Sequence, residues 1–115
     1  MAITAENSGT QTTTVTTEHT VEQTNVAGVF VFEVDLNAMA DGDVVELRIY
    51  KMLLTAGTSR ILHYTAYYGA QPTYDKIKTS IPVMNELTDS TALQFSILQS
   101  FGSSRSIPWK VLKVA

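Results

Sequence analysis

Strict alternation of apolar and polar positions dominates several stretches of this chain. From Val29 to Leu36, Phe30, Phe32, Val34 and Leu36 point one way, and Val29, Val31, Glu33 and Asp35 the other. A period of two with one apolar side is the signature of a strand whose one face lies in a core. Val44 to Met52 repeats it, with Val45, Leu47 and Ile49 inward and Glu46, Arg48 and Tyr50 outward. Ala92 to Gln99 turns Leu93, Phe95 and Ile97 inward, and Ile107 to Val114 reads as a last strand carrying Trp109. Arg60 to Tyr68 is different: Leu62, Tyr64, Ala66 and Tyr68 form one face, while Ile61, His63, Thr65 and Tyr67 form the other. Both faces are partly apolar, which is more than a strand with one wet side needs.

Weaker patterns fill the rest. Thr12 to Glu22 alternates Val15, Thr17, His19 and Val21 against Thr16, Glu18, Thr20 and Glu22, and predicts a half-solvated strand. Lys76 to Met84 predicts a short edge strand, because Pro82 cannot donate to a ladder and Lys76 and Lys78 discourage edge pairing. Turns are expected at Asn25–Gly28, Asp41–Asp43, Thr55–Ser59 and Gly102–Arg105, each centred on residues that favour turns. Met1 to Thr14 holds too few apolar side chains to offset ordering entropy, so it predicts a flexible Thr-rich arm or a frayed terminus. Residues 15–115 are then one domain.

Seven or eight short strands with no helical periodicity predict an all-β fold, a single-domain antiparallel β-sandwich or closed barrel. Topology is left open between jelly-roll and immunoglobulin-like, with the longer loops near Asn37 and Gly69 favouring a jelly roll. Composition agrees: 16 Thr, 11 Val and 7 Ile make 34 of 115 residues β-branched, and such side chains suit a pleated surface. Charged residues are only 17% and the net charge is −3, which argues against a phosphate-neutralising nucleic-acid surface. The absence of cysteine excludes disulfides, thiolate metal sites and cysteine nucleophiles. No apolar run reaches the roughly 20 residues of a membrane helix, and Met1–Thr10 has no signal-peptide pattern. A soluble product, released or assembled in the cytoplasm that made it and with no membrane partner, is expected.

Candidate chemistry is sparse. Only His19 and His63 could serve a hydroxyl nucleophile, and no G-x-S-x-G turn is present, so the chain does not read as an enzyme, nor as one that carries a cofactor. Asp35, Asn37, Asp41 and Asp43 gather hard oxygens around one loop, but without EF-hand spacing they read as turn residues before calcium ligands. Tyr64, Tyr67, Tyr68 and Tyr74 lie within eleven positions. A protein interface, where Tyr is enriched and charge depleted, is favoured for them over a ligand platform.

The runs Met39-Ala40-Asp41-Gly42-Asp43-Val44-Val45-Glu46-Leu47-Arg48-Ile49-Tyr50 and Pro108-Trp109-Lys110-Val111-Leu112 resemble small virion proteins of tailed bacteriophages. The resemblance implies a capsid decoration (cement) protein on the virion surface, with the major capsid protein as partner. A homotrimer seated where three capsid subunits meet would follow from site symmetry. Ile61, His63, Thr65 and Tyr67 are the candidate interface of that oligomer. The alternative is a carbohydrate- or receptor-binding module of a phage tail.

Overall fold

The computed structural model describes residues 3–54, 61–72, 75–88 and 92–114. Among these residues nine strands follow one another: β1 (Thr4–Thr12), β2 (Glu18–Thr24), β3 (Gly28–Asp35), β4 (Val44–Lys51), β5 (Ile61–Tyr68), β6 (Ile77–Thr79), β7 (Val83–Asn85), β8 (Leu93–Phe101) and β9 (Ser106–Lys113). They form two antiparallel sheets, β1-β9-β3-β6 with β7 also on β3, and β2-β8-β4-β5. The first strand pairs the last, β2 pairs β8, β3 pairs β6 and β7, and β4 pairs β5. This is the connectivity of one long hairpin rolled into two layers, a jelly roll.

The alternating faces meet between the sheets as expected. Phe30, Phe32, Val34 and Leu36 from one sheet side close on Val45, Leu47, Ile49, Leu93, Phe95 and Ile97 from the other, all buried. Phe32 and Phe95 join the layers edge to face, ring centres 5.5 Å apart at 61°, the geometry that aligns a ring's positive edge with a neighbour's negative face. Trp109 faces inward opposite Val34 and is partly buried against the core. Gly9, its partner on β1, would bring a Cβ to 3.3 Å from the indole, so a side chain there would push the ring aside.

Three expectations need correction. Thr4–Thr12, read as part of a flexible arm, forms strand β1 along β9. Its backbone ladder gives it a place that its side chains, nearly all exposed, could not have announced. The strand expected over Thr12–Glu22 begins only at Glu18, because Thr14–Thr17 closes a turn with Thr17 N donating to Thr14 O. Lys76–Met84 is two strands instead of one. Between them Ser80 takes over from the ladder: its hydroxyl accepts from Phe32 N at 2.9 Å and its own N–H donates to Phe32 O, while Pro82 has no donor to offer. The expected turn at Thr55–Ser59, and Tyr74, lie outside the described residues.

Candidate protein interface

Strand β5 is the outer edge of its sheet, so among the described residues one side of its backbone has no neighbouring strand. Its inward face follows the sequence pattern: Tyr64, Ala66 and Tyr68 lie opposite Ile49, Leu47 and Val45. Thr65 and Tyr67 lie opposite Arg48 and Glu46, on the outer surface of the sheet. A register shift then interrupts the row. Ile49 pairs Tyr64 but Tyr50 pairs Leu62, which leaves His63 as the extra residue of a bulge. Leu62 therefore shares the outer side with Tyr50, and Ile61 stands opposite Lys51. So the structure groups Thr65 with Tyr67, places exposed His63 at the bulge, and moves Ile61 out of their row. Alternation alone could not anticipate this, since a one-residue bulge reverses every side chain beyond it.

The apolar part of this edge is uncovered. Ile61 is 70% exposed and Tyr67 66%, and Leu62 is also open; on the strand's approach Leu53 and Leu54 are exposed as well. Thr65 Oγ1, by contrast, is buried and has no hydrogen-bond partner among the described residues.

Beside it the outer face of the sheet carries a charged network. Arg48 donates through Nε and Nη2 to Glu46 Oε1 at 3.1 and 2.9 Å, and through Nη1 to Glu18 Oε1 at 2.6 Å. The Tyr50 hydroxyl donates to the same Glu18 oxygen at 3.0 Å. Glu46 is nearly enclosed and Arg48 about three-quarters so. Burial acts to lower the Arg48 pKa, but its bonds to Glu46, Tyr50 and Glu18 outweigh it and hold the guanidinium charged. Burial, helped by the Glu18 carboxylate, raises the Tyr50 pKa. Two carboxylates around one guanidinium give the cluster one negative charge, and each of the three guanidinium nitrogens donates to an acceptor within it. Such an arrangement orders the outer face of the sheet beside β5. Sequence reading placed Glu46, Arg48 and Tyr50 on one outward face, but Glu18 comes from a strand 30 positions away and carried no local signal.

The remaining candidates are structural in their contacts. Asp43 is buried; its Oδ2 accepts from Ala40 N at 2.9 Å and Arg105 Nε at 2.6 Å, and its Oδ1 accepts from Ser103 N at 3.1 Å. Burial would raise its pKa, yet these donors prevail and hold the carboxyl below its ordinary value. Asp35 Oδ1 accepts from Asn37 N, and Asp41 is exposed. Among the described residues no three His, Asp or Glu side chains converge to hold a metal ion. His19 Nε2 accepts from Thr14 N at 3.0 Å. Lys78, read as an edge guard, pairs with Val34 and stands 5.6 Å from the Tyr68 ring centre, bound to Asp75 at 2.6 Å. On the other sheet a shallow groove of about 180 Å³ is lined by Glu33, Asp35, Ile77, Pro108, Trp109 and Lys110.

Neither protein-family models nor characterised proteins nor solved structures gave a match to this chain.

Proposed function

We propose that this chain is a structural component of a tailed-phage particle, a decoration protein that sits on the outside of the head and ties capsid subunits together. The observation that carries this reading is the uncovered apolar edge at β5, where Ile61, Leu62 and Tyr67 stand in solvent beside a rigid charged network. A monomer gains nothing from exposing such side chains, and an uncovered, charge-poor strand edge with Tyr at its rim is the make-up of a protein contact. The jelly roll adds to this, since viral capsid domains use it, although many unrelated proteins share the fold. The partners are the major capsid protein and two further copies of this chain, a homotrimer at a threefold junction, with β5 turned toward the neighbour.

The test is Tyr67→Asp. The side chain is two-thirds exposed, so thermal stability should stay within about 0.5 kcal/mol of the parent. Solution mass should drop to that of one chain, and copies per particle, counted by quantitative mass spectrometry against the major capsid protein, should fall at least about tenfold. Unchanged mass and occupancy would refute the interface.

One observation favours a second reading, a carbohydrate- or receptor-binding module of the tail. The groove beside Glu33 and Asp35 sets carboxylates next to Pro108 and the exposed Ile77, groups that suit sugar hydroxyls and apolar sugar faces. Glycan binding lost on Asp35→Ala, with few copies per particle, would select it.

A further inference from the structure

Strand β1 is held in a way that sets it apart from the other long strands. Its side chains lie almost wholly in solvent, with Ile3 before it and Ala5 within it both exposed, so it adds little to the core. What holds it is the ladder to β9 and a polar cradle at its end. There Thr13, 1% exposed, donates from Oγ1 to Gln99 Oε1 and accepts at the same oxygen from Arg105 N at 2.9 Å. Thr13 N donates to Arg105 O at 2.8 Å, and Ser104 Oγ donates to Thr13 O. All of these partners belong to β8, β9 or the loop between them.

The connection from this cradle to β2 is a four-residue turn, Thr14–Thr17, closed by Thr17 N on Thr14 O at 2.9 Å. Its third residue, Thr16, has φ of +70°. A turn with positive φ at that position normally takes Gly or Asn. A β-branched residue there is strained by contact between Cβ and its own backbone. Thr16 N donates to Gln99 O at 2.7 Å, so the ladder's margin holds the strain in place.

We propose that β1 is an exchangeable strand: in assemblies of this chain, residues 4–13 of one copy lie on β9 and in the Thr13 cradle of a second copy. Three observations combine to this. Every bond of β1 and Thr13 can be remade without change on an identical partner. The strand buries little that would resist withdrawal. Opening the hinge releases the Thr16 strain, and short strained hinges are what drive such exchange. From Thr13 to Glu18 the extended hinge reaches about 17 Å, so the two copies must sit side by side at this end of the sandwich. The surface used is the β9 edge, on the sheet opposite to β5, and the inference does not depend on the role proposed above.

The test uses the absence of natural cysteine. Ser8 and Lys110 are exposed ladder partners on β1 and β9, at a separation suited to a disulfide. Ser8→Cys chains are mixed with Lys110→Cys chains at high concentration, equilibrated and mildly oxidised, and the linked peptides are identified by mass. The double variant, which should close within one chain, checks that the pair can bond. Exchange predicts that 8–110 links between chains outnumber 8–8 and 110–110 links several-fold. Thr16→Gly in both chains, which removes the strain while leaving the fold intact, should cut the 8–110 yield about tenfold. Links in random proportion, no links, or a yield indifferent to Thr16→Gly would overturn the proposal.

Discussion

Asp43→Asn isolates what a single buried carboxylate does for this sandwich. Its two oxygens tie the loop before β4 to the β8–β9 loop through Ala40 N, Ser103 N and Arg105 Nε. Asn keeps the shape but owns one acceptor. Turned to serve Ala40 and Arg105, its amide NH2 meets the Ser103 N–H head on; turned the other way, it loses two donors instead of one. The better orientation leaves one buried donor unpaired, about 1–3 kcal/mol, and removes the charge from the Arg105 bond, about 1 kcal/mol more. The loss should be roughly 2–4 kcal/mol from a total of about 5–15, lowering Tm by about 8–16 °C at this size. The pH dependence gives a second handle. Because the folded carboxyl titrates below its ordinary value of 3.8, its stabilising effect is complete above the unfolded pKa. It disappears as pH falls through the depressed folded value. Urea unfolding of parent and variant should differ fully at pH 7 and converge as pH drops below about 4. A variant within 0.5 kcal/mol of the parent at pH 7, or a gap that stays constant down to pH 2.5, would refute this reasoning.

Other perturbations follow from the same packing. Gly102→Ala should be severely destabilising: a Cβ would stand 1.9 Å from Asp43 Oδ1 and 2.8 Å from Asp43 Cα, at φ of +98°. Soluble yield and Tm would both show it, and a parent-like melt would be fatal to the loop assignment. Phe95→Ala removes the ring that meets Phe32 between the sheets and should cost about 3–5 kcal/mol by denaturant unfolding. Arg48→Met leaves Glu46 nearly enclosed without its partner, so a loss of about 2–3 kcal/mol is expected, with Glu46→Gln in the same chain restoring part of it. Tyr50 should ionise later than exposed tyrosine in an alkaline absorbance titration. Its raised folded pKa means that its contribution to stability is full below the ordinary value of 10.0 and falls as pH rises past it.

The strands that build the core were legible because their alternation is unbroken: Phe30 to Leu36, Val45 to Ile49 and Leu93 to Ile97 carry apolar residues at every second position, and burial follows. β1 was not legible, because an edge strand held by backbone bonds needs no apolar side chains, and Thr, Ser, Asn and Gln suit a loop as well. The bulge at His63 escaped for another reason: nothing in Ile61–Tyr68 marks where the partner strand drops a residue. Thr14–Thr17 hid its turn because it lacks the Gly or Asn that positive φ usually demands. Asp43 looked like turn punctuation from its neighbours Asp41 and Gly42, whereas its partners Ser103 and Arg105 lie some sixty positions on.

The pairing of first strand with last sets the order in which this molecule can be built. β9 lies between β1 and β3, so neither has its main neighbour until residues 106–113 have left the ribosome. Until then, among the described residues, β3 has the short β6 and β7 beside it, and Phe32 lacks its cross-strand neighbour Val111. A nascent chain of this topology emerges with its apolar strands exposed and closes its sandwich late, through contacts distant in sequence, which are slow to form. The low apolar content of the first strand then has a use during synthesis: the segment that waits longest for its partner is the one least prone to aggregate.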